Sequence, residues 1–130
     1  MTELDQATID FAHRMFDLAR AGDLHLVEQV DAGLPVNLTD ARGNTLLMLA
    51  AYHGHAPLTG ALAARGADVE RRNDRGQTPL AAAVFKGAPD VVEALLEAGA
   101  DPHAGQPSAL DTAVLFERAE LVQRLQPPRA

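Results

Sequence analysis

The chain has 130 residues, 47% of them hydrophobic, and a formal net charge of −7 at pH 7. That is one domain's worth (1–130), with no apolar run of the roughly 18 residues a membrane span needs, and its acidic balance opposes general affinity for nucleic acid, which rests on neutralising phosphates. The absence of cysteine excludes disulfides, thiolate metal sites and cysteine nucleophiles, and the acidic opening Met1-Thr2-Glu3-Leu4-Asp5 does not read as a secretory leader, so the expected home is the cytoplasm.

The first predicted element is a long helix whose apolar residues run Ile9, Phe11, Ala12, Met15, Phe16, Leu18 and Ala19. Gly22 closes it, and Gly33 closes a second, shorter one. Residues 1–40 carry eight acids against Arg14 and Arg20, so most of the negative charge sits at this end.

From Gly43 onward the chain repeats itself. Gly43 and Gly76 are 33 residues apart, as are Thr45 and Thr78, Leu47 and Leu80, Ala50 and Ala83, Gly54 and Gly87, and Gly66 and Gly99. A fixed period of this length marks a stacked-repeat protein. In the cleanest copy Thr78 caps a helix, Pro79 starts it, Leu80, Ala83 and Val84 follow at helical spacing, and Gly87 ends it. Pro89 opens a second helix with an apolar stripe of Val91, Val92, Leu95 and Leu96, closed at Gly99. Neither helix reaches the ~12–15 residues needed for marginal stability alone, so each pair must bury its stripe against the next.

The last element trails the third by 30 rather than 33 residues: Leu110, Ala113, Leu121, Val122 and Leu125 follow Leu80, Ala83, Val91, Val92 and Leu95. The turn before it is therefore three residues short. Ser108 falls at the helix cap, Glu117 at the helix-break glycine position, and Pro127-Pro128 stops the chain.

These residues resemble the ankyrin repeat. Thr78-Pro79-Leu80, the Gly-Ala-Asp endings at Gly66–Asp68 and Gly99–Asp101, the turns at Asp40, Gly43 and Thr45 and at Asn73, Gly76 and Thr78, and Ala50-Ala51…Gly54-His55 all fit its pattern. The resemblance implies an all-α solenoid of about four repeats, approximately 5–39, 40–72, 73–105 and a shortened 106–126, with atypical capping repeats at both ends. It also implies that His55 is a structural hydrogen-bonder between neighbours. The sequence departs from the pattern at Met48 and Ala81, where the family usually has a histidine bonded to the threonine hydroxyl, which should loosen the turns somewhat.

No catalytic equipment stands out. Ser108 lacks a glycine-flanked nucleophile turn, the glycines follow helix ends instead of forming a phosphate loop, and Glu93 with Glu97 reads as a solvated face. His53 and His55 lack the third and fourth ligands a metal site needs. No cofactor or metal is therefore expected.

The resemblance implies target contacts at the turn tips and along the exposed part of each first helix. The tips carry Arg42 and Asn44, then Asp74, Arg75 and Gln77, with Arg71 and Arg72 close by. The helix positions before the break glycines are Tyr52 and His53, Phe85 and Lys86, and Leu115 and Phe116. Tyr52, Phe85 and Leu115 form one column, the expectation being an apolar-aromatic strip on the concave face, since aromatics dominate interface hot spots; the competing reading buries Phe85 and Leu115 in the core. The implied function is non-catalytic binding of another protein, one with an acidic segment that suits the arginine rim. Two other classes stay open: a small-molecule or metal-responsive protein using His53, His55 and the groove, and a self-associating structural module. A monomer is expected, and the alanine-rich, arginine-over-lysine usage suggests a bacterial chain.

Overall fold

The computed structural model describes residues 5–126. The proline stop at Pro127-Pro128 and the first four residues lie outside that range. Among the described residues there are eight helices: α1 (Gln6–Ala21), α2 (His25–Asp31), α3 (Leu46–Tyr52), α4 (Ala56–Ala64), α5 (Pro79–Lys86), α6 (Pro89–Glu97), α7 (Ala109–Leu115) and α8 (Ala119–Leu125). No strand accompanies them, only isolated bridges at Thr39–Thr45 and Gly105–Ser108.

The helices stand in two rows. An inner row runs α1, α3, α5, α7, and each inner helix packs on the outer helix that follows it; α2, α4 and α6 form an outer row that is tightest between α4 and α6. The two rows start differently. Every inner helix is capped by a side chain: Asp5 accepts from the Thr8 N–H, Thr45 from Met48, Thr78 from Ala81 and Ser108 from Asp111, at 2.7 to 3.1 Å. No outer helix has such a cap, and α4 and α6 instead place proline in the first turn, where a missing N–H costs no hydrogen bond. Thr45 and Thr78 are almost wholly buried, so the turns stay capped despite Met48 and Ala81.

Glycines close the units. Gly22, Gly54 and Gly87 all have positive φ, between 70° and 82°, the left-handed conformation that ends a helix without a Cβ penalty. Where α7 ends, Glu117 takes that role at φ 55°, the one non-glycine residue with positive φ among those described.

Burial is more complete than a single apolar stripe would give. Leu46 through Ala51 of α3 and Pro79 through Val84 of α5 are buried at every position, because these helices have neighbours on both sides and an outer helix behind. Leu47, Leu58, Leu62, Leu80, Val84, Val91, Val92 and Leu95 are fully enclosed. Burying a side chain of this size stabilises by about 1.5–3 kcal/mol. At the last pair the pattern changes. Asp111 replaces the apolar residue at the Ala81 position, yet Val114, equivalent to the enclosed Val84, is 58% exposed.

The terminal pairs carry side-chain ties between their helices, whereas the central junction is tied through its turns and loops. On the outer row Arg65 forms a two-point bond with Asp31 at 2.7 and 3.2 Å, and Arg124 forms one with Glu93 at 2.5 and 3.0 Å. Glu93 is therefore a tie between α6 and α8, not merely part of a solvated face. In the inner row, His55 Nε2 donates to the Arg20 carbonyl at 2.7 Å and Arg118 Nη2 to the Phe85 carbonyl at 2.9 Å. Between α3 and α5 the equivalent of these two residues is Ala88, which reaches nothing.

Candidate functional site

The two central inner helices, α3 and α5, leave only their last turn at the surface. The buried runs stop at Ala51 and Val84, and the next residues, Tyr52 and Phe85, open onto a groove. That groove, about 1710 Å³, is walled by α1, by the exposed ends of α3 and α5, and by the turns around Arg42 and Arg75, with Phe16, Met48 and Leu49 in its lining. Met48 and Leu49 went unnoticed as groove residues in the sequence. Their apolar character is that of core, and both are in fact nearly buried beneath the groove.

The six helix-end positions are brought together, but diagonally. The Lys86 ammonium lies 4.8 Å from the centre of the Tyr52 ring, and Phe116 meets Phe85 edge-to-face with centroids 5.2 Å apart. Each contact thus joins the first position of one pair to the second position of the next. His53 packs edge-on against Tyr52 at 5.2 Å. Neither Phe85 nor Leu115 is core: they are 40% and 70% exposed, and Phe116 is 46% exposed.

The turn tips divide into two groups. Arg42, Asp74 and Arg75 are exposed. Asn44 and Gln77 are half-buried and belong to a ladder joining successive turns: Asn73 Nδ2 donates to Asn44 Oδ1 and Gln77 Oε1, both at 3.0 Å, while the Asp74 N–H donates to the Arg42 carbonyl at 3.0 Å. Asp40 and Asn73 hold each turn by accepting backbone N–H bonds, from Arg42 and Asn44 in one case and Arg75 and Gln77 in the other. Asn44 and Gln77, expected as contact residues, have their side chains engaged in scaffolding, because a turn that must stack on its neighbour needs its amides for that bond.

The two histidines have separate roles. His55 is bonded to the Arg20 carbonyl, and its ring fills the space beside Gly22 where a Cβ would otherwise stand. His53 faces the groove. Its partial desolvation, and the neighbouring charges of His55, Lys86 and Arg20, push its pKa below the ordinary 6.5 and so favour the uncharged ring. Among the described residues no three His, Asp or Glu side chains converge as metal ligands, and no helix is long and apolar enough to cross a membrane.

The geometry is that of a helical stack offering a groove of mixed aromatic and cationic character. A family model described as ankyrin repeats (3 copies) matches residues 15–106, more than half of the chain. The chain belongs to the ankyrin-repeat family. Among curated proteins it is similar to an ankyrin repeat protein of Pseudomonas aeruginosa, 54% identical over 55 residues, which cover 42% of this chain and 32% of that protein. An ankyrin repeat-containing protein of Treponema pallidum is 41% identical over 75 residues, or 57% and 25% of the two chains. Ankyrin repeat and SAM domain-containing protein 6 of Mus musculus is 46% identical over 48 residues, 37% of this chain and 5% of that protein. The chain thus spans a third or less of the length of these relatives.

Proposed function

We propose that this chain is a non-catalytic module that binds another protein through the groove and the exposed turn tips, acting as a monomer in the cytoplasm. Membership of a family whose repeats generally serve protein–protein interaction supports the reading. The observation that carries it is the exposure of Phe85, Leu115 and Phe116 beside the half-buried Tyr52 at adjoining helix ends, since clustered surface aromatics are costly to leave in water and mark contact sites. The binding residues we assign are Arg42, Tyr52, His53, Asp74, Arg75, Phe85, Lys86, Leu115 and Phe116, with Asn44 and Gln77 setting the turns. The four helix pairs are read as four repeats divided near residues 39, 72 and 105, the last of them beyond the residues the family model matches.

The test is affinity capture from the source cell with tagged wild type and with Tyr52→Ala/Phe85→Ala. Both proteins should show the same helical circular dichroism, because neither side chain is enclosed, and the variant should lose the protein that wild type retains. Retention by the folded variant overturns the assignment.

A further inference from the structure

Electrostatics divides the groove and the α7 end that adjoins it at Phe85 into two unlike parts. Around Tyr52 the surface is cationic although the chain as a whole is strongly acidic. Arg42, Arg75 and Lys86 have no ion-pair partner within 4 Å among the described residues, whereas Asp17 and Asp40 are both turned to Arg20, at 3.0 and 3.8 Å. Asp40 also accepts two backbone N–H bonds. The one carboxylate here with no such engagement is Asp74. Beyond Lys86 the surface becomes apolar: Phe85, Phe116 and Leu115 follow one another without an unpaired cation between them, Arg118 being turned inward to the Phe85 carbonyl.

We propose that the groove and the adjoining end of α7 take a peptide segment of graded chemistry, with carboxylates at one end lying over Arg42, Arg75 and Lys86, and bulky apolar side chains at the other seated on Phe85, Leu115 and Phe116. This rests on the protein-binding reading and adds to it a composition and a direction. Charge complementarity selects the acidic end: a basic segment would meet three unpaired cations, and like-charge juxtaposition rejects partners strongly. The Lys86 ammonium, held over the Tyr52 ring, is pre-positioned at the boundary between the two halves, which lowers the ordering cost of engaging a carboxylate there.

The test is selection of a random phage-displayed peptide library against the purified full chain, followed by fluorescence anisotropy of the enriched peptides at low and high salt. The expected winners separate an Asp/Glu cluster from a Leu/Phe/Trp cluster. Arg75→Glu/Lys86→Glu should weaken them about tenfold, and substituting lysines for the peptide's acids should restore binding to that variant. Leu115→Ser/Phe116→Ser should weaken them to an extent that salt does not change. Winners that are wholly apolar, bind independently of salt and are lost on Tyr52→Ala/Phe85→Ala would overturn the graded assignment while leaving the groove as a binding surface. Enrichment of nothing, or of peptides indifferent to every variant, would overturn both. A dimer in sedimentation velocity that Leu115→Ser dissociates would give the apolar end to a second copy and also overturn the proposal.

Discussion

The imidazole of His55 and the backbone carbonyl of Arg20 lie 2.7 Å apart, 35 positions away in sequence, and the same relation recurs between Arg118 and Phe85. In each case the residue after the helix-break position reaches back to the carbonyl of the next-to-last residue of the preceding inner helix. These carbonyls belong to the orphan set that every helix C-terminus leaves unpaired. The backbone at the two donors is nearly identical, with φ −97° and ψ 81° at His55 and φ −91° and ψ 77° at Arg118.

Ala88 occupies the third such place, at φ −107° and ψ 83°, and the space over the facing Gly54 is open where Gly22 and Gly87 are covered. Ala88→His should therefore complete the series and raise stability by about 1 kcal/mol, the net worth of one added hydrogen bond. His55→Ala should lower it by a similar amount. Thermal denaturation of both variants checks the pair of signs, and a fall in melting temperature for Ala88→His would contradict the equivalence.

Glu117 holds a left-handed conformation that its side chain disfavours. Glu117→Gly is expected to stabilise by about 1 kcal/mol, since glycine enters this region without the Cβ clash. Urea titration should move the midpoint upward at constant slope. An unchanged or lower midpoint would mean that Glu117 makes up the difference through contacts of its own.

Acid should loosen the ends first. The guanidinium groups of Arg65 and Arg124 hold Asp31 and Glu93 below the ordinary carboxylate values of 3.8 and 4.5. A depressed folded pKa gives a contribution that is present above the unfolded value and lost as pH falls through the folded one. Asp31→Asn/Glu93→Gln should therefore lower the melting temperature at neutral pH and flatten its decline below about pH 4. These pairs are exposed, so the effect should also shrink with added salt. Circular dichroism melts across that range decide the point.

Two histidines should titrate on opposite sides of the ordinary 6.5. The Asp23 carboxylate, hydrogen-bonded at 2.8 Å, raises His25, while burial and nearby cations lower His53. His25 thus contributes stability below pH 6.5 that disappears as pH rises through its folded value. His53 works the other way, opposing the fold as pH drops below 6.5, because only the unfolded chain then takes up the proton freely. Proton NMR of the imidazole Cε1–H signals should show His53 titrating before His25 on acid-to-base titration; the reverse order would refute the assignment.

Much of the fold was legible because it rests on local rules repeated at a fixed interval. Thr45, Thr78 and Ser108 announce helix starts, and Gly22, Gly54, Gly66, Gly87 and Gly99 announce ends, each through the conformation of one residue. The ties between repeats were less legible. Arg65 with Asp31, and Arg124 with Glu93, are over thirty residues apart, and no pattern within one repeat reveals them. Arg118 was hidden twice, by the shortened final turn and by its difference in kind from His55. At the groove, the aligned column of Tyr52, Phe85 and Leu115 was readable from the sequence, but the diagonal pairing of Lys86 on Tyr52 and Phe116 on Phe85 depends on the stagger of successive pairs. The engagement of Asn44 and Gln77 was unreadable for a similar reason: a polar residue at a turn tip looks the same whether it faces water or the next turn.

The buried runs of α3 and α5 end one residue before Tyr52 and Phe85, and this division bears on how such a chain diversifies. Leu47 or Leu80 cannot be truncated to alanine without losing about 2–5 kcal/mol, but the side chains facing outward at the next turn owe the scaffold almost nothing. Selection acting on recognition is thereby uncoupled from selection acting on folding. A library randomised at positions 52, 53, 85, 86, 115 and 116 should retain a high proportion of folded members while sampling new specificities.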